Sequence, residues 1–170
     1  MMNHKTFSIF LLAFFLTTGC KVNYSFTGAS IPEGTETVSV YDFPNMAPLV
    51  NPALSNQLTE ALKDKFMTQT SLQLVPQYGH LSFEGSIVDY RTQPMAIQAN
   101  SDVAAQNRLT ISVKVKFTNE KNPKANFDTS FSRYADYDSD KDLTSVEDAL
   151  VEQILDELID DIFNKAVVNW

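Results

Sequence analysis

A chain of 170 residues with 20% charged and 44% hydrophobic side chains has the composition of a folded protein, which excludes a disordered tail. About 150 residues remain once a leader is removed, enough for one core that buries roughly two thirds of the surface exposed by the unfolded chain. The formal net charge of −8 repels phosphate backbones at long range and argues against general nucleic-acid binding.

Met1 to Lys5 form a short basic opening, and Phe7 to Leu16 is a ten-residue run that is apolar except for Ser8. Such a run is too short for a bilayer, which needs about 20 apolar residues, and reads as the h-region of a signal peptide. Thr17, Thr18 and Gly19 then stand directly before Cys20, the only cysteine in the chain. This resembles the lipobox of bacterial lipoproteins, with Leu16 one position further from the cysteine than in the common pattern. The expected organisation is a removable leader over 1–19, a lipid anchor and irregular lead-in over 20–36, and one domain over 37–170. An ordinary secretory signal with an unrelated cysteine is the other reading of the same residues. Attached acyl chains contribute about 0.8 kcal/mol per buried methylene, so more than one chain holds a domain at a membrane without a spanning helix. Lys21-Val22-Asn23 follow the anchor without an Asp, which favours the outer membrane, facing the periplasm.

A short strand is expected around Thr37 to Phe43, after which Pro44, Pro48 and Pro52 interrupt regular structure. Asn51 and Pro52 suit a helix start. Leu54, Leu58, Ala61, Leu62 and Phe66 then recur at helical spacing, ending near Gln69. Leu72 to Val75 reads as a short strand stopped by Pro76. Leu81, Phe83, Ile87, Val88 and Tyr90 mark a longer strand whose alternation changes phase, and a bulge near Gly85 is the expected reason. Leu109, Ile111, Val113, Val115 and Phe117 alternate with Thr110, Ser112, Lys114, Lys116 and Thr118, so one face is buried and the other wet. After a turn over Asn119 to Asn126, Phe127, Thr129 and Phe131 begin the returning arm of a hairpin. A long helix is expected from Ser145 to Val168, with Thr144 and Glu147 spaced as a capping box. Its wide apolar stripe suits packing on a sheet. The order β-α-β-β-β-β-α gives an α+β fold: a two-layer sandwich with two helices packed on one face of a four- to five-stranded mixed sheet.

The chain has little material for catalysis, because His4 leaves with the leader, Cys20 is modified and His80 stands alone. No glycine-rich phosphate loop, CxxC pair or HExxH motif occurs, and no cofactor is expected beyond the covalent lipid on Cys20. Asp136, Asp138, Asp140, Asp142 and Glu147 occupy positions 1, 3, 5, 7 and 12 of an EF-hand-like calcium loop. Against that reading, Lys141 stands where the sharp turn needs Gly, and a strand precedes the loop. An acidic, solvated loop capping the last helix is the favoured alternative. Arg108, Lys114, Lys116, Lys121 and Lys124 crowd one hairpin, and Lys114 and Lys116 share its polar face. They could meet lipid A phosphates as a pair of charges, or they could be solvated lysines that discourage edge pairing.

The segments Tyr24 to Ala29, Phe43-Pro44-Asn45, Val50-Asn51-Pro52, Glu60 to Phe66 and Asp161 to Trp170 together resemble the LptE-type lipopolysaccharide-assembly lipoprotein family in its Bacteroidota-like form. The resemblance covers nearly the whole mature chain. It implies a non-enzymatic outer-membrane lipoprotein that plugs and helps assemble an LptD-like β-barrel and contacts lipopolysaccharide on its way to the cell surface. The alternative class is a free-standing periplasmic lipoprotein that binds a small ligand or another envelope complex.

Overall fold

A computed structural model describes residues 31–49, 51–95 and 105–168. The expected leader, Cys20, the first part of the lead-in, Val50 and the last two residues lie outside the described residues. Seven main elements follow in chain order: β1 (Thr37–Val40), α1 (Leu54–Gln69), β2 (Gln73–Leu74), β3 (Leu81–Pro94), β4 (Gln106–Asn119), β5 (Phe127–Asp138) and α2 (Leu143–Val167). The sheet order is β2-β1-β3-β4-β5. β1 runs parallel to both of its neighbours, and β3, β4 and β5 form an antiparallel meander. Both helices cover one face, giving the expected α+β sandwich on a five-stranded mixed sheet.

The alternation in β4 explains how the layers meet. Leu109, Ile111, Val113, Val115 and Phe117 are buried against the helices, while Lys114 and Lys116 stand on the opposite, open face. From the helix side, Leu54, Leu58, Leu62 and Phe66 of α1 complete the core with Leu150, Ile154, Leu158 and Ile162 of α2. A run of aromatic rings crosses the interface: Phe163 to Phe66 at 5.1 Å, Phe66 to Phe83 at 4.9 Å, Phe83 to Phe117 at 4.8 Å and Phe117 to Phe127 at 5.2 Å between centroids. These tilted contacts bind both helices and three strands, each adding about 0.5–1.5 kcal/mol beyond the area it buries.

Four local features differ from expectation. β1 ends at Val40, because Phe43 leaves the strand and places its ring in the core. The Phe43 N–H donates to Thr59 Oγ1 (3.2 Å) and its carbonyl accepts from Ser55 Oγ (2.7 Å), which ties this segment to α1. α1 starts at Leu54, since Asn51 Oδ1 accepts from the Ala53 amide (2.9 Å) and holds Pro52-Ala53 as a turn before the helix. The bulge in β3 is at Val88, between Ile87 and Asp89, and not near Gly85. Gly85 keeps its place in the ladder opposite Val115 and answers a different need. A Cβ there would lie 2.2 Å from the Lys114 carbonyl oxygen and 2.5 Å from the Phe43 ring. Finally, α2 begins at Leu143, so Thr144 lies inside its first turn and not at its cap, and the Asp142 side chain makes no cap hydrogen bond.

The connection from β2 to β3 crosses the open side of β1. Gly79 N–H donates to Ser39 Oγ (3.2 Å) and His80 N–H to Thr37 Oγ1 (3.0 Å), so Ser39 is fully covered. A Cβ on Gly79 would stand 2.5 Å from the Ser39 nitrogen, which is why the crossing needs glycine.

Replacing Gly85 by Ala forces the Phe43 ring or the β4 backbone aside and is expected to destabilise the domain by about 1–3 kcal/mol. Urea unfolding followed by circular dichroism measures this, and an unchanged midpoint would contradict the close approach described above.

Candidate functional site

The open sheet face is the broad surface not claimed by the core, and register decides what it carries. Reading across β3, β4 and β5, one row holds Glu84, Lys116 and Asp128, and the next holds Ser86, Lys114 and Ser130. Further rows are Asp89, Ser112 and Ser132, then Arg91, Thr110 and Tyr134, then Gln93, Arg108 and Asp136. The face is therefore hydroxyl-rich at its centre and charged around it. Ser112 donates its hydroxyl to Ser132 Oγ at 2.9 Å.

Lys114 and Lys116 stand on this face together, as expected, but each has an acid beside it. Lys116 Nζ lies 3.5 Å from Glu84 and Lys114 Nζ lies 3.4 Å from Asp128. Arg91 pairs with Asp89, and Arg108 forks onto Asp136 through bonds of 2.7 and 2.8 Å. Arg108 also stacks over the Tyr134 ring, 3.5 Å from its centroid. Four cations thus face four acids, and the surface is balanced in sign. Between the two lysines, a shallow hollow of about 220 Å³ is lined by Glu84, Gly85, Ser86 and Asp128. Exposed pairs of this kind contribute little to stability and exchange partners readily, so the lysines can reach another anion at small cost.

The residues at calcium-loop spacing are not brought together. Asp136 is still within β5, bonded to Arg108 on the open face. Asp138 pairs with Lys141 (3.1 Å), Asp140 is exposed, and the Asp142 carbonyl accepts from Ser145 Oγ (2.6 Å) at the start of α2. Glu147 turns away to receive Asn51 Nδ2 at 2.9 Å and the Tyr90 hydroxyl. No group of three or more His, Cys, Asp or Glu among the described residues is arranged to hold a metal ion. β5 carries the first acids away from the rest, which is the physical reason a loop-like spacing did not become a loop. The expected capping box also fails to form, since α2 starts before Thr144, and Glu147 instead bridges the β1–α1 connection, β3 and α2. Burial pushes the Tyr90 hydroxyl well above the usual tyrosine range, and the Glu147 acceptor pushes it further, so Tyr90 stays a donor.

Sequence reasoning missed the acid partners of the lysines, because Glu84 and Asp128 meet them only through strand register. It also missed Arg133, which sits on the helix side of β5 and forks onto Asp161 of α2 at 2.6 and 2.7 Å. Cys20 lies outside the described residues. No helix among the described residues is long and apolar enough to cross a membrane.

The profile of the LptE family, described as lipopolysaccharide-assembly, matches residues 35–166. No curated protein matches the sequence. Among solved structures, the chain is similar to a neuraminyllactose-binding hemagglutinin homolog from Helicobacter pylori, at 10% identity over 84% of this chain and 89% of that one, with a TM-score of 0.51. A hypothetical protein from Chlamydia trachomatis aligns at 11% identity over 79% and 99% of the two chains, with a TM-score of 0.50. Uncharacterized lipoprotein B from Nitrosomonas europaea aligns at 13% identity over 84% and 87%, with a TM-score of 0.47. At these identities the first two likenesses concern the fold alone.

The Arg108 guanidinium holds the Asp136 carboxyl below the usual carboxylate range, mainly through their hydrogen bonds. A depressed folded pKa contributes stability above the unfolded carboxylate pKa of about 3.9, and that stability is lost as pH falls through the folded value. Asp136→Asn is therefore expected to lower Tm slightly at neutral pH and to flatten the acid limb of a Tm–pH profile. Parallel profiles for the two proteins would show that the pair contributes nothing.

Proposed function

The chain belongs to the LptE family of lipopolysaccharide-assembly proteins, and from that premise we propose that it works as a non-catalytic outer-membrane lipoprotein in lipopolysaccharide export. In this reading, Cys20 carries the lipid that holds the domain at the periplasmic face. The domain then sits in the lumen of an LptD-like β-barrel, assists its assembly, plugs it and contacts lipopolysaccharide in transit.

The observation that carries the proposal is the family match over residues 35–166, which takes in every element described above except the last residue of α2. The open sheet face supports it. The lumen of an outer-membrane barrel is polar and wet, and an insert suited to it needs a closed core with a polar exterior. Here the core is sealed by helices on one side, and the other side shows serines, threonines and balanced ion pairs. Lys114 and Lys116 are the proposed phosphate contacts: an arriving phosphate replaces the weakly held acids and accepts charge-assisted hydrogen bonds from both ammonium groups.

Photoreactive amino acids placed at Ser112 and Ser132 test the placement in native membranes. The expected product is an adduct with a large outer-membrane β-barrel protein. Recovery of the free monomer alone would favour a free-standing periplasmic lipoprotein, and mass spectrometry showing an unmodified Cys20 thiol would overturn the anchor. Lys114→Gln with Lys116→Gln is expected to weaken lipopolysaccharide binding by at least about tenfold, from the loss of two charge-assisted bonds. Unchanged binding would remove both lysines from the mechanism.

A further inference from the structure

The helix layer carries a surface of a different kind. Two hollows, of about 460 and 400 Å³, share Ala61 and Asp156 and together form one trough along the seam between α1 and α2. The trough exists because Ala61 is short where the neighbouring core positions of α1 are Leu58 and Leu62. Val151 and Leu155 form its floor, at 2% and 5% exposure.

Its rim is acidic in a regular way. Asp148, Glu152, Asp156 and Asp160 follow one another at four-residue intervals on α2, so each acid stands about 6 Å further along the helix than the one before. Lys65 closes one end by pairing with Asp160 at 2.5 Å. Asp148, Glu152, Asp156 and, from α1, Asp64 have no ion pair among the described residues. The other acids of α2 are committed: Glu157 and Asp161 to Arg133, Glu147 to Tyr90 and Asn51.

Sign and spacing identify the occupant. Anionic lipids, phosphates and nucleic acids are repelled. Carboxylates one turn apart do not converge on a point, and no cluster suited to a metal ion occurs among the described residues. Cations repeating once per helical turn match the rim, and helix-in-groove seating matches an apolar-floored trough between two helices. We propose that the α1–α2 seam docks a basic helix of a protein partner, whose Lys or Arg side chains at one-turn spacing pair with Asp148, Glu152 and Asp156 while an apolar side chain seats against Ala61. The seam lies on the opposite layer from the polar sheet face, and its test on the isolated protein does not depend on the lipid-export reading.

The mature full-length protein can be titrated at low salt with an Ala-rich helical peptide of about 15 residues carrying Lys at every fourth position. The expected result is saturable binding to this peptide, with none to its Glu counterpart and much less to a peptide of the same composition with the lysines scrambled. Glu152→Gln with Asp156→Asn should weaken binding by about tenfold, the effect of two partly exposed ion pairs. Asp138→Asn with Asp140→Asn makes the same change in net charge elsewhere and should leave binding intact. Equal losses from the two double variants would assign binding to net charge and overturn the proposal, as would equal affinity for the scrambled peptide. Ala61→Leu fills the trough without changing charge and should abolish binding, and retained affinity in the folded variant overturns the seating. If Ala61→Leu does not fold, the two double variants decide. Concentration-dependent dimerisation lost in Glu152→Gln with Asp156→Asn would make a second copy the occupant, contrary to the proposal.

Discussion

The packing of aromatic rings between the layers is the constraint on which the rest of the structure depends. Phe163, Phe66, Phe83, Phe117 and Phe127 come from five different elements, and each touches the next. Removing one ring would leave its neighbours facing a void, because protein interiors are packed too closely to collapse fully around it. The same packing fixes which side of every strand faces inward. Since side chains alternate, setting Phe83 and Phe117 inward sets Glu84 and Lys116 outward. The composition of the open face is thus a by-product of the core.

Much of this architecture was legible because the governing signals are periodic and local. The strict alternation in β4 and the paired apolar residues of α2 state their own buried faces, and the element order follows from them. What failed to show in the sequence was anything set by contact between distant segments. The phase change in β3 was visible, but Gly85 drew the bulge to itself when its smallness answers the Phe43 ring. β5 continued through Asp136, because its pairing with β4 runs on past Arg133 with Ala135 and Tyr137 still facing the core, and Arg108 gives Asp136 a reason to lie flat on the sheet. The parallel placement of β1 between β2 and β3 has no local signature at all.

The candidate site was legible to a lesser degree. That Lys114 and Lys116 share a face follows from their spacing, whereas their neutralisation by Asp128 and Glu84 follows from register. A count of charges along the hairpin suggests a basic patch, and the folded face is balanced. Charge is instead left uncompensated on the helix layer, where the sequence shows only the ordinary polar side of an amphipathic helix. Ala61 turns that side into a trough, a consequence of one small residue opposite a neighbouring helix. The two faces of the sandwich therefore present different chemistry: a neutral hydroxyl-rich plane and an acidic furrow.

The position of β1 bears on mechanics. Thr37 to Val40 is an interior strand, hydrogen-bonded to β2 on one side and β3 on the other, with the β2–β3 connection folded across it. A pull transmitted along the strand axis from the residues before Thr37 loads these bonds together in shear instead of peeling them one at a time. The domain is thus gripped through its middle and not by a frayed edge, so drag on the body is resisted by two ladders at once.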